Sequence, residues 1–380
     1  MTAYAFCQDK FASLLSLIET GMAFLDVNEK PRPDLPYFGR QTPISYLTEK
    51  ATLRAMKQWM GLELEQREIK KVPIDKSLIK SGDTLAILRV WGGAELIMYG
   101  TGSPVGHVAT AMWFEDGELY VTEADRIAGV MATKWDDWFD WSETIGNNVV
   151  WMPLKPELRE KFDEQAARDF FYRIESYPYG FASLLFSWYD TEDENLPPML
   201  PQSFMPYSMS YAERFFPEEV QVLFTQALNK RLGTDGLTMP EVAVEAAKQG
   251  MSTDQLASLP EDIRWEYSGM GPTPLQSYVC SSFVTSMLQA GGLFEDADGE
   301  VINVETAEFS PKDVVEIGFY DMDFDYPTEC READPNISFC QLLGQYRIDL
   351  TGRAGFVEPY DHMDEKCPTY WPGYGRAPGC

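Results

Sequence analysis

Gly271-Pro272-Thr273-Pro274 cannot lie in a helix and Gly291-Gly292 stops one, so the stretch between them is bounded on both sides. Within it Val279, Phe283, Val284, Met287 and Leu288 recur at helical spacing, which predicts one amphipathic helix with Cys280 in its first turn. The first N–H groups of a helix lack intrahelical acceptors and carry the positive end of its dipole, a setting that favours a thiolate. A nucleophilic thiol also needs a base, and the chain holds two histidines, His107 and His362.

His107 opens a run, through Phe114, that reads as a strand; Glu115-Asp116-Gly117 reads as a tight turn and Glu118 to Glu123 as the returning strand. With a three-residue turn and Gly117 in the left-handed conformation, Phe114 faces Glu118, Ala109 faces Glu123 and His107 faces Asp125. His107 and Glu123 then lie diagonally on one face, expected to be the face toward Cys280. A two-residue Asp-Gly turn would throw them to opposite faces, because a one-residue slip inverts a strand. A lone buried cysteine is usually packing and a lone histidine usually structural. Together Cys280, His107 and Glu123 supply a nucleophile, a base and an orienting group. His362 is the competing base, but Tyr360, Asp361 and Cys367 place it in a cysteine-rich tail where a structural role is expected. Cys7 has no comparable setting.

The net charge of -29, from 31 Lys+Arg against 60 Asp+Glu, repels phosphate backbones and anionic membranes, so no nucleic-acid partner is expected. No stretch approaches the roughly 20 apolar residues of a membrane span, so no integral membrane segment is expected, and Met1 to Lys10 lacks the features of a signal peptide. Cys330, Cys340, Cys367 and Cys380 crowd into a Pro/Gly-rich C-terminal stretch, as in a disulfide framework whose three pairings sequence alone leaves open. Asn336-Ile337-Ser338 is a glycosylation sequon within it. Both features favour a secreted, lumenal or lysosomal/vacuolar location. A structural zinc fits less well, since the four cysteines include no close pair. Asp321 to Asp325 with Glu332 has tyrosine where a calcium loop wants glycine, so a solvated acidic loop is expected, and no metal or cofactor.

In chain order, Phe11 to Phe24 and Thr48 to Gln66 carry helical stripes and suggest an N-terminal helical cap over residues 1–78. Residues 79–320 form the expected main domain. Its strands begin at Thr84, Glu95 to Tyr99 is a short apolar run in its β-rich part, Trp135 to Trp141 is an aromatic packed corner, and Asn148 to Leu154 is a further strand. Residues 156–265 read as a helical insertion, with one helix from Pro156 to Ser176, an apolar helix from Phe181, an acidic loop from Asp190 to Pro201, and later helices from Phe216 and Met239. Val301 to Phe309 reads as a strand or two, Ser310-Pro311-Lys312-Asp313 as a helix start, and residues 321–380 as the cysteine-rich tail.

The order Gly106-His107, a strand, Glu123, and much later Cys280-Ser281-Ser282-Phe283-Val284 with Ala290-Gly291-Gly292 resembles the circularly permuted NlpC-type branch of papain-like cysteine hydrolases. Gly100-Thr101-Gly102-Ser103, Pro178-Tyr179-Gly180, Phe186 to Thr191, Asn229 to Thr234 and Phe339 to Gly344 are similar to motifs of a largely uncharacterised eukaryotic family with a Cys-rich tail. The resemblance implies an α+β, circularly permuted papain-like fold in which an antiparallel sheet packs on the Cys-bearing helix. It further implies Cys280 as nucleophile, His107 as base and Glu123 as orienting residue. The expected activity is hydrolysis of an amide or peptide bond, with a peptide or other acyl substrate. A lipid acyltransferase or phospholipase, and a non-catalytic binding or scaffold protein, are the alternatives.

Overall fold

Short runs rich in β-branched and aromatic residues begin at Thr84, and they pair with one another. The computed structural model describes residues 49–376 apart from 51, 55, 58–60, 91–93, 127, 185, 187–203, 258, 269–273, 297–298, 322, 338, 362, 364–368 and 371–374. The first expected helix, Cys7, His362, Cys367, Cys380 and the Asp190 to Pro201 loop lie outside the described residues. The architecture is mixed α+β, with one antiparallel six-stranded sheet. Its strands are β1 (Thr84–Leu88), β2 (His107–Trp113), β3 (Leu119–Asp125), β4 (Gly129–Lys134), β5 (Asn148–Met152) and β6 (Cys340–Leu343), in the order β4-β3-β2-β1-β5-β6. The last of these belongs to the stretch whose sequence suggested a tail.

Strand side chains alternate between faces, and here both faces are covered, which is why β1 and β5 are buried at every position. On one face Ala86, Leu88, Val108, Met112, Val150 and Met152 share a core with α11 (Cys280–Ala290). On the other, Leu85, Ile87, Ala109, Ala111 and Val121 pack with Trp135, Trp138 and Phe139 of α2 (Trp135–Ile145) and with the Cys330–Cys340 disulfide.

The remaining helices are α1 (Ala94–Thr101), α3 (Pro156–Lys161), α4 (Glu164–Ile174), α5 (Phe181–Leu184), α6 (Phe204–Glu213), α7 (Pro217–Val220), α8 (Gln226–Leu232), α9 (Met239–Lys248), α10 (Thr253–Ala257), α12 (Pro311–Glu316) and α13 (Thr328–Ala333). Phe186, Val220, Leu228, Met239, Val242, Leu256 and Tyr267 give the middle block its own core. Thr238 and Glu241 cap α9 reciprocally, and Ser310 and Asp313 do the same for α12, as their sequences suggest.

Several local expectations give way to packing. The segment from Glu95 is helical, not extended. The single helix expected over Pro156 to Ser176 is broken at Phe162-Asp163. The Phe162 ring fills the space over Gly82 and Gly291, where an added Cβ would lie 3.0 Å and 2.2 Å from it, and Asp163 starts α4 by accepting the Ala166 N–H. Among described residues the expected second N-terminal helix is helical only to residue 57. Gly61 is left-handed, Leu62 N–H bonds the Met56 carbonyl, and residues 61–65 are not helical. Beyond it Gln66 and Lys71 pair with Tyr346 and Leu343 beside β6. Val301 to Phe309 holds a bridge at Val301 and a 3-10 turn at Thr306–Glu308, not a ladder strand.

The Cys-bearing helix is also not amphipathic in its setting: every residue from Cys280 to Leu288 is buried. Among its small hydroxyls Ser282 and Ser286 find local or neighbouring partners, whereas Thr285 Oγ1 is buried without one among the described residues. Ser282 Oγ accepts the Val279 N–H at 3.0 Å, and Ser286 bonds Thr306 at 2.8 Å.

Candidate active site

The β2–β3 hairpin closes as the three-residue turn requires. Gly117 has φ of 77° and donates to the Phe114 carbonyl at 3.0 Å, while Phe114 N–H meets the Glu118 carbonyl at 3.1 Å. Asp116 holds the turn, accepting from Glu118 N–H and from the Tyr120 hydroxyl. Pairs from Trp113 with Leu119 to Thr110 with Thr122 follow, a register that puts His107 and Glu123 on one face. Their side chains meet: His107 Nε2 lies 2.6 Å from Glu123 Oε2.

That face is not the one α11 packs on. By strand alternation His107 and Glu123 share the side of Ala109, Ala111 and Val121, which α2 covers. Glu123 accordingly accepts a second hydrogen bond, from Trp138 Nε1 to Oε1, at 2.6 Å. The thiol reaches His107 because the two strands part. Pairing of β2 with β3 ends at Thr110 and Thr122, although β2 stays paired with β1 to His107 and β3 with β4 to Asp125. In this fork the Val108 N–H no longer has a strand partner in β3, and it donates to Cys280 Sγ. The Ser281 N–H of the first helical turn donates there as well, and the His107 ring hydrogen-bonds the thiol. With Nε2 committed to Glu123, Nδ1 is the ring nitrogen left for sulfur.

Cys280 is 1% exposed and is the free cysteine among the described residues. Burial pushes its thiol up, but the charge and hydrogen bond of His107, with the two main-chain N–H groups, outweigh it and hold the thiol below its ordinary value. Burial likewise favours neutral His107, and the Cys280 thiolate and Glu123 reverse that, holding the imidazole well above its ordinary value. The pair therefore favours thiolate and imidazolium.

The entry to α11 is laced to β4 through Tyr177-Pro178-Tyr179-Gly180. Val130 N–H donates to the Tyr177 carbonyl, Gly180 N–H to the Tyr278 carbonyl, and Tyr278 N–H to the Pro178 carbonyl. Gly180 must lack a side chain: a Cβ there would sit 2.7 Å from Ser183 Oγ and 3.1 Å from the Val279 nitrogen.

Upstream, Tyr267 and Leu275 exchange both main-chain hydrogen bonds, and residues 261–263 dock on the turn behind α11 through carboxylates. Glu305 accepts the N–H of Ile263 and Ala307, and Glu308 that of Glu261. Burial pushes the Glu305 carboxyl up to about 7, against those two donors and helped by the charges of Asp262 and Glu261. Its folded value lies above its unfolded one, so the fold gains stability from Glu305 below about pH 4.5 and loses it as pH rises through 7. Relative to wild type, Glu305→Gln is therefore expected to become more stable by about 2 kcal/mol between pH 5 and pH 8. Urea unfolding at both values measures this, and a difference that does not change with pH would refute it.

Cys330 and Cys340 form a disulfide, the one pairing of the four tail cysteines within the described residues. Asn336 of the sequon is exposed. Among described residues no group of His, Cys, Asp and Glu is arranged to hold a metal ion, and no helix is long and apolar enough to cross a membrane. In the acidic loop Asp321 caps Asp323 N–H and Asp325 pairs with Arg331. Sequence reasoning passed over Trp138 by treating its aromatic run as packing alone; the signal was that a buried indole N–H needs an acceptor. No family model matches the chain, and no curated protein or solved structure is found to match it.

Proposed function

We propose that the chain is a cysteine-dependent hydrolase of the circularly permuted papain-like kind, cleaving an amide or peptide bond. The observation that carries this is the continuous relay from Trp138 through Glu123 and His107 to a thiol that its surroundings favour as thiolate. Packing alone would not require a buried thiol to receive two main-chain donors and an imidazolium.

In the proposed reaction Cys280 Sγ attacks the substrate carbonyl carbon, and the C=O electron pair moves to oxygen. The oxyanion is held by the Cys280 N–H at the start of α11. His107 gives the Nδ1 proton to the leaving nitrogen as the C–N bond breaks, leaving a thioester. Water, deprotonated by His107, attacks the thioester, and the acid and the thiol are released. Because Cys280 is 1% exposed, the acyl group must displace the side chains that cover it. An oxidising compartment belongs to the same proposal, and the Cys330–Cys340 disulfide is compatible with it.

The test is a panel of peptide, amide, thioester and lipid ester substrates against wild type and Cys280→Ala, with intact-mass detection of the acyl-enzyme. Amide or peptide turnover that Cys280→Ala loses by at least about a thousandfold is expected. Turnover confined to lipid esters would favour an acyltransferase or phospholipase instead. Turnover unaffected by the substitution would remove Cys280 as nucleophile.

A further inference from the structure

Two donors converge on the Glu123 carboxylate from different elements, His107 Nε2 on Oε2 and Trp138 Nε1 on Oε1, each at 2.6 Å. The Glu123 side chain is 4% exposed and Trp138 is 1% exposed, so water does not stand in for either. The indole is fixed by its neighbours Phe139 and Trp141, with ring centroids at 5.4 Å and 6.5 Å. An indole N–H can only donate, so the atom facing it must be an acceptor. A carboxylate offers an acceptor to each donor, whereas a carboxamide has one oxygen and one NH2.

We propose that Trp138 is a positioning residue that fixes how the group at position 123 presents its acceptor to His107. By claiming one oxygen of Glu123 it leaves the other to accept from Nε2–H, which keeps Nδ1 as the nitrogen that exchanges a proton with Cys280. This rests on Cys280 and His107 acting as a working pair. It has a specific consequence at position 123. In Glu123→Gln the indole selects the amide oxygen, and the NH2 is turned toward His107 Nε2. That nitrogen must then accept, the ring proton moves to Nδ1, and the neutral ring cannot take the Cys280 proton. The imidazolium, with N–H on both nitrogens, is opposed by the same NH2. With phenylalanine at 138 the amide is free to turn its oxygen to Nε2. Trp138→Phe should therefore rescue Glu123→Gln in the thiolate fraction of Cys280, a quantity that a further loss of packing does not raise.

The readout is the rate of Cys280 alkylation by iodoacetamide at pH 6 divided by the rate at pH 10, with the labelled site identified by peptide mass spectrometry. The ratio reports the thiolate fraction and cancels changes in access. Expected are a fall of about thirtyfold in Glu123→Gln, about threefold or less in Trp138→Phe, and recovery in the double variant to within about threefold of Trp138→Phe. A double variant no better than Glu123→Gln overturns the proposal. His107→Ala, run alongside, separates the two levels. A collapsed ratio there without recovery in the double variant refutes the role of Trp138 alone, whereas a wild-type ratio refutes the dyad and the proposal with it. If Trp138→Phe does not fold, 3-benzothienylalanine at position 138 replaces the N–H by sulfur at the same shape, and the same outcomes apply.

Discussion

His107→Ala is expected to slow alkylation of Cys280 at pH 6 by about a hundredfold while leaving the rate at pH 10 within about twofold. The pH 10 rate is set by a thiol already largely ionised, so it gauges access. The pH 6 rate is set by how far the thiol lies below its ordinary value, and three donors hold it there: the His107 ring, the Val108 N–H and the Ser281 N–H. His107 is the one that carries a charge. With it gone, the burial of a sulfur on a residue 1% exposed acts against two neutral donors, and the thiol rises toward the usual range. The pH window follows from the same directions. Thiolate and imidazolium coexist between the lowered value of Cys280 and the raised value of His107, so wild-type reactivity should fall only in acid, as the thiolate is protonated. Superimposable profiles for wild type and His107→Ala would leave Cys280 a core residue.

Asp83→Ala is expected to cost about 3–5 kcal/mol of stability, the range for removing one partner of a buried ion pair. The Asp83 carboxylate has no exposure and lies where β1 begins. It accepts from Trp151 Nε1 at 2.9 Å, Lys80 N–H at 2.8 Å and Leu154 N–H at 3.3 Å, and it pairs with Arg159 of α3. It thus joins β1, β5 and α3 in one hub. Burial pushes its carboxyl up, with Arg159 and the donors opposing, so the charge is held by its neighbours rather than by water. Alanine leaves the indole and main-chain N–H groups without an acceptor and Arg159 without its counter-charge. Asp83→Asn keeps an acceptor and should recover part of the loss. Urea unfolding followed by tryptophan fluorescence measures both, and an alanine variant within about 1 kcal/mol of wild type would show the hub to be dispensable.

Neither effect has the same standing in the sequence. Cys280 and His107 are legible because their settings are local: a proline-broken approach to a helix, and a strand entered from a glycine. Asp83 stands in a Ser-Gly-Asp turn like many others, and its partners come from residues 80, 151, 154 and 159. Trp138 was visible only as aromatic mass. Phe162 breaks a helix for a reason that lies in Gly82 and Gly291, far apart in the chain.

What the sequence determined by itself was whatever a few neighbouring residues decide. The Glu115-Asp116-Gly117 turn needs only a left-handed glycine and an aspartate cap to choose its register, and that register obliges His107 and Glu123 to share a face. The end of α11 follows in the same way from Gly291-Gly292, whereas its start at Cys280 comes after a non-helical approach that Tyr278 pairs with Pro178 and Gly180. The tertiary structure alone decided which face that would be and how the thiol gets there. Alternation fixes relative sides of a strand, not which helix covers each, so the pair came to lie under α2 while Cys280 approached from the opposite layer. They meet because the β2–β3 ladder ends at Thr110 and Thr122, opening a gap that sulfur fills. Where a ladder ends depends on the other strands that hold each partner, here β1 and β4, and those contacts exist only once the sheet is assembled.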